Sequence, residues 1–202
     1  MKHIVIEIGA FDGEDTEKYL QNRNAFVYCF EPNIDYANKL KERFANKDNI
    51  KIINKAVGTY NGIGKLWIAE KKMSSSMNTP SQYSIDNLII KNEDTQSVEV
   101  VNLKTFIIEN EIQQIDYLHC DAQGSDFNIL KSLGDKISII IRGQVEGSRN
   151  ENLYDTENRY NYIIEYLEKN NFKILNKDEI EKRSNWLDLN ILFINKNYET
   201  VL

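Results

Sequence analysis

The stretch Lys2-His3-Ile4-Val5-Ile6-Glu7-Ile8-Gly9-Ala10-Phe11-Asp12-Gly13-Glu14-Asp15-Thr16 runs from a short apolar segment, through a turn bracketed by glycines, into an acid-rich helix start. A strand that passes at once into a helix opens a βαβ unit. Two glycines four apart let the chain turn tightly and bring a ligand against main-chain N–H groups at the helix N-terminus. The loop is therefore a nucleotide-type cradle. It lacks the Gly-x-Gly-x-x-Gly spacing of dinucleotide folds, so NAD and FAD fit poorly, and an oxidoreductase is a weaker alternative.

Downstream, short apolar runs alternate with segments of helical period, which predicts an α/β fold with a mainly parallel sheet covered by helices on both faces. Strands are expected near 3–8, 26–30, 50–54, 115–120, 137–142, 172–176 and 188–195. Helices are expected near 13–22, 33–46, 103–111, 124–133 and 156–170. In the last of these, Tyr160, Ile163, Ile164 and Leu167 share one face, the spacing of a stripe packed on a sheet. Residues 177–187 show no apolar helical period, so the final two strands are expected to pair antiparallel rather than through a crossover. Thr59-Tyr60-Asn61-Gly62 is a turn signal between short strands that include Leu66-Trp67-Ile68. The polar segment Met73 to Ser84 sits in an insertion at 71–97, expected to be a lid loop of a single domain spanning 1–202.

The chain has 202 residues, enough for one sizeable core, and 25 Lys plus Arg against 31 Asp plus Glu, for a net charge of -6. That balance is opposite to a phosphate-binding footprint and demotes nucleic acid as a partner. Apolar runs are far too short to span a bilayer, and the N-terminus has no signal-peptide core, so an intracellular, cytoplasmic protein is expected. Cys29 and Cys120 lie singly in strand-like runs and read as buried free thiols. With two His residues in the chain, a bound metal would need carboxylate oxygens, as Mg or Mn does.

The second strand ends in Phe30-Glu31-Pro32-Asn33, which puts an acid where doubly wound folds bind ribose hydroxyls. Together with the glycine loop, Ala56-Val57-Gly58, the serines at 74–76 and, above all, Ile115-Asp116-Tyr117-Leu118-His119-Cys120-Asp121-Ala122-Gln123-Gly124-Ser125-Asp126, the chain resembles the FkbM-type methyltransferases. The resemblance covers roughly residues 3 to 195. It implies a Rossmann-like class I methyltransferase fold, a seven-stranded sheet with its last strand antiparallel. It also implies S-adenosylmethionine as cofactor and O-methylation of a sugar or glycan, a deoxyhexose among them. Three positions depart from the family pattern: His119 stands where Lys is common, Ser125 where Ala is common, and Asp126 where Glu is common.

Carried over by position, Gly9, Ala10 and Gly13 would face the methionine part of the cofactor, and Glu31 its ribose. Glu7 would orient the loop. Asn54, Ala56 and Val57 would lie near adenine, with Ser75 on the rim. Strand alternation puts His119 and Asp121 on one face, with Asp121 at the carboxyl end of its strand, where open α/β sheets bind ligands. These two are the expected catalytic pair, base and orienting partner. Glu146 matches the family's acid after the fifth main strand. Asp126 and Glu146 are expected at the acceptor, as are the aromatics Tyr83, Tyr154 and Trp186. Asp121, Asp126 and Glu146 form the candidate set for a divalent cation, and Asp126 has the plainer alternative of a helix N-terminal charge. The chain begins almost on its first strand, which fits a domain of a longer protein joined to glycosyltransferase modules, or an oligomer that borrows a cover. Methylation of another hydroxylated small molecule and a non-catalytic cofactor- or glycan-binding module are the alternatives.

Overall fold

The computed structural model describes residues 2–87, 89–149, 153–182 and 187–201. The chain folds in the order β1 (His3–Ile8), α1 (Glu14–Leu20), β2 (Ala25–Phe30), α2 (Ile34–Arg43), β3 (Ile50–Ile53), β4 (Ala56–Gly58), β5 (Gly62–Ala69) and α3 (Gln82–Asp86). There follow β6 (Asn92–Asn102), α4 (Leu103–Glu109), β7 (Ile115–Cys120), α5 (Asp126–Ser132), β8 (Ile140–Ser148), α6 (Tyr160–Lys169), β9 (Phe172–Ile174), α7 (Lys177–Lys182) and β10 (Asp188–Asn195).

Seven strands form the main sheet in the order β3-β2-β1-β7-β8-β10-β9. The first five run parallel, while β10 pairs antiparallel with both β8 and β9. This is the mixed sheet expected from the class I pattern, with its antiparallel strand inserted near one edge. The alternation of β1 sends Ile6 and Ile8 to one face and Val5 to the other. The first face meets α4, α5 and α6 through Phe106, Ile107, Ile129, Leu130, Ile163 and Leu167. The second meets α1 and α2 through Leu20, Ala37 and Leu40. Both cysteines are buried and free. Among the described residues no helix is long and apolar enough to cross a membrane.

Four elements differ from the sequence expectation. The strand expected at 137–142 starts at Ile140, because Gly134–Ile139 forms a 3-10 turn, and it runs on to Ser148. Glu146 therefore lies within the strand rather than after it. The helix expected from 156 starts at Tyr160. Lys177–Lys182 is a short helix that buries Ile180 alone, too little for a visible apolar period. The lid expected at 71–97 ends in β6, the centre of a separate three-stranded sheet, β4-β6-β5. Among the described side chains of β6 the buried apolar ones are Val98, Val100 and Val101, so its polar first half carries no hydrophobic signature.

Candidate active site

The carboxyl ends of β1, β2 and β7 converge on a cavity of about 440 Å³, within the ~300–1,000 Å³ range of cofactor pockets. At its centre the chain leaves β1 through Gly9, whose φ is +83°. A Cβ built there would lie 1.9 Å from the Asp121 carbonyl oxygen, so the β1 and β7 loops touch backbone to backbone. Asp121 N–H donates to Ile8 O at 3.0 Å and extends the strand pairing into these loops.

Glu31 organises the second side. Its Oε2 accepts the Phe11 N–H and its Oε1 the Asn33 N–H, each at 2.8 Å. A carboxylate accepts about four hydrogen bonds, so acceptor capacity remains on both oxygens for a ligand in the cavity. Burial pushes the Glu31 carboxyl up to about 7. Asn33 in turn caps α2 by accepting the Asp35 N–H at 3.0 Å. Asn54 donates to Glu31 O and Pro32 O and so shapes this turn without lining the cavity. Ala56, Val57 and Leu66 supply an apolar wall.

At the floor, one face of the sheet carries a polar row, since Glu7 is paired in register with His119, and His119 with Gln144. Glu7 is almost fully buried, accepts the Thr16 hydroxyl at 2.5 Å, and is pushed up to about 7 by burial. Both His119 ring nitrogens are engaged, Nδ1 with the Tyr19 hydroxyl at 3.0 Å and Nε2 with the Gln144 amide nitrogen at 3.2 Å. An amide nitrogen only donates, so Nε2 accepts and the proton sits on Nδ1. Burial pushes the imidazole below its ordinary value against the opposing pull of Asp121, which keeps it neutral.

The far end of the cavity is acidic. Asp121, Glu146 and Asp188 all line it. The Gln123 amide nitrogen donates to Asp121 Oδ1 at 2.6 Å and to Glu146 Oε2 at 3.1 Å. The Tyr154 hydroxyl lies 2.7 Å from Gln123 Oε1 and 2.9 Å from Ser74 O. Burial raises the Asp121 and Glu146 carboxyls, Glu146 further through the charge of Asp121, and lifts Asp188 to about 6. Over the cavity runs a strap at 72–78, bridged to β5 between Ser76 and Trp67. It is fastened to the β7 loop where Ser76 donates its hydroxyl to Gln123 O at 2.6 Å and Asn78 its amide to Ser125 Oγ at 2.8 Å. The Ser125 hydroxyl is what accepts the second bond.

Of the residues expected at the site, Glu7, Gly9, Ala10, Glu31, Ala56, Val57, Ser75, His119, Asp121 and Glu146 line the cavity. Gly13 does not; it packs against Leu40 and Phe44 of the α2 region, where a Cβ would collide. Asp126 is fully buried outside the cavity wall, accepting the Ala122 and Gly124 N–H groups and the Asn158 amide. Its carboxylate clasps the loop rather than lining the cavity, and burial raises it to about 7. Among the described residues no three acidic, His or Cys side chains come together as metal ligands, so the trio of Asp121, Asp126 and Glu146 is not assembled for a cation. Tyr83 lines a separate, shallower groove. Tyr154 is buried between the two, and Trp186 lies outside the described residues. Sequence reasoning missed Gln123 and Asp188. Gln123 sits inside the motif it used, whereas Asp188 joins the site through antiparallel register with Ser148, which the sequence does not reveal.

The profile of the methyltransferase FkbM domain matches residues 7–174. The 2-O-methyltransferase NoeI of Sinorhizobium fredii (strain NBRC 101917 / NGR234) is 25% identical over 135 residues, which cover 63% of this chain and 56% of that protein. An rRNA methylase from Streptococcus thermophilus superposes with a TM-score of 0.50 at 12% identity, over 96% of this chain and 87% of that one. A candidate rRNA methylase from Clostridium thermocellum gives 0.53 at 10% identity, over 96% and 88%. At those identities the likeness is one of fold.

Proposed function

The chain belongs to the methyltransferase FkbM domain family, and on that premise we propose that its cavity transfers the methyl group of S-adenosylmethionine to a hydroxyl of a sugar or glycan. The single observation that carries the reading is one cavity whose lining follows the order of the sheet, from Glu31 after β2, past the Gly9 loop after β1, to Asp121 after β7 and Glu146 on β8. The residues at the first end suit the cofactor. Glu31 has spare acceptor capacity for ribose hydroxyls, the Gly9-Ala10 backbone faces the amino-acid portion, and Ala56 with Val57 walls the adenine, with Ser75 on the rim. Glu7 supports the loop from below through Thr16.

Bound there, S-adenosylmethionine supplies an already electrophilic methyl group, so the protein's share is alignment, exclusion of water and removal of one proton. Asp121 is the group for that proton. Its raised carboxyl makes it a stronger base than an exposed aspartate, and Glu146 beside it shares the acceptor's hydroxyls. With the cofactor bound to supply the methyl group, the Asp121 carboxylate would take the proton of the acceptor hydroxyl. His119 has both nitrogens committed, to Tyr19 and to Gln144, so neither is offered to the acceptor proton. A divalent cation is not part of the reading, because Asp126 is spent on main-chain amides. The sugar acceptor is favoured by the polar, carboxylate-lined end of the cavity, which matches a ring of hydroxyls, and by the 2-O-methyltransferase relative. The match spans 56% of that relative.

The test is a screen of neutral sugars and glycans with labelled methyl donor, with Mg or Mn and with chelator. Chelator-insensitive transfer to a sugar hydroxyl, lost in Asp121→Asn, is the expected result. Transfer only to non-sugar hydroxyls overturns the acceptor class, and donor binding without transfer, unaffected by Asp121→Asn, favours a binding module.

A further inference from the structure

We infer that Gln123 is a positioning residue for methyl transfer, a neutral clamp whose amide holds Asp121 and Glu146 side by side at the acceptor end of the cavity. The inference rests on the reading of that end as the acceptor site. Two carboxylates at one cavity wall repel each other, and each needs a donor to keep a fixed rotamer. Gln123 supplies both donors from one nitrogen, at 2.6 Å to Asp121 Oδ1 and 3.1 Å to Glu146 Oε2. Its orientation is fixed from the other side, because Oε1 faces the Tyr154 hydroxyl at 2.7 Å, and a flipped amide would aim its oxygen at two acceptors.

The backbone is committed to the same end. Gln123 has a φ of +49°, a conformation that side chains other than Gly, Asn and Asp seldom adopt. Its carbonyl takes the Ser76 hydroxyl at 2.6 Å. Gly124 follows at a φ of +94°, where a Cβ would lie 2.8 Å from the Tyr154 ring, so the ring that anchors the amide sits flush on the loop. The strap, the tyrosine and the two acids thus meet at one side chain. Gln123 makes no covalent contribution. Its amide takes Oδ1 of Asp121 and leaves Oδ2 of the same carboxylate to an acceptor hydroxyl.

Two variants and one structure test this. Gln123→Met keeps length and removes the amide, and Gln123→Glu keeps the oxygen that meets Tyr154 but replaces the donors with a third negative charge. For both, donor affinity by calorimetry is expected to stay within about twofold of wild type, while kcat falls about tenfold to a hundredfold, as misplacement of a reacting group does. Gln123→Glu is expected to lose the more. Tyr154→Phe, which keeps the packing and frees the amide, is expected to lower kcat about threefold with the same donor affinity, and serves if the Gln123 variants fail to fold. A kcat within twofold of wild type, or donor affinity and kcat falling in parallel, overturns the proposal. In crystals of Gln123→Met, Asp121 and Glu146 are expected to turn apart, and retention of both rotamers overturns it whatever the acceptor is. Wild-type protein that binds donor yet methylates no hydroxyl instead overturns the functional reading and leaves this crystallographic arm standing.

Discussion

Phe11 hands its main-chain N–H to Glu31 Oε2 at 2.8 Å, so the acid that ends the second strand also holds the loop that follows the first. Removing that carboxylate therefore does two things at once. Glu31→Ala is expected to weaken binding of the methyl donor by about 1–3 kcal/mol, through lost ligand hydrogen bonds and a loosened Gly9 loop. Isothermal calorimetry reads this directly, and unchanged affinity would remove Glu31 from the cofactor end.

Stability of the ligand-free protein is expected to fall as pH rises from about 4.5 to about 7. Glu7, Glu31 and Asp126 are all raised to about 7 and Asp188 to about 6, in each case chiefly by burial. Across that interval the folded state binds more protons than the unfolded chain, so the slope of unfolding free energy with pH is negative. The contribution is complete below the unfolded carboxylate values and is lost as pH passes the folded ones. Thermal melts at three pH values test it, and Glu7→Gln is expected to flatten the slope. A melting temperature that climbs over the interval would contradict the assignment.

Gly9→Ala meets the closest backbone approach in the site. The added carbon would overlap the Asp121 carbonyl at 1.9 Å, from a φ of +83°. The combined strain and overpacking are expected to cost about 2–4 kcal/mol, seen as a lower denaturant midpoint with an unchanged slope. Gly134→Ala, where the nearest atom is the flexible Lys104 ammonium at 3.5 Å, is the control for positive φ without a clash.

His119 and Asp121, read as one pair from strand alternation, are expected to separate in kinetics. Asp121→Asn should lower kcat about a hundredfold, in the range of general-base loss. His119→Asn should lower it less than about tenfold and leave the acidic limb of the rate profile in place, because the neutral ring donates and accepts within the protein. An acidic limb that disappears with His119 would transfer the base role to the imidazole.

The main sheet was legible because its parallel strands are buried on both faces and read as apolar runs, Ile4-Val5-Ile6 and Phe26-Val27 among them. β6 was not, since the small sheet buries little and Asn92 to Gln96 is polar throughout. The Gly9 loop and Glu31 could be placed by spacing, because both follow directly from a strand end. Asp188 could not, because only the pairing of β10 against β8 brings it beside Glu146. Asp126 lies off the cavity wall for a different reason. A helix-start acid next to a cavity looks the same in sequence whether its oxygens face a ligand or, as here, turn back onto the amides of Ala122 and Gly124.

The strap over the cavity is tied by Ser76 to the carbonyl of the residue that steadies the two acids, and Tyr154 reaches both. On the proposed reading, opening the strap to release a spent nucleoside would undo the same knot that holds Asp121 and Glu146 together.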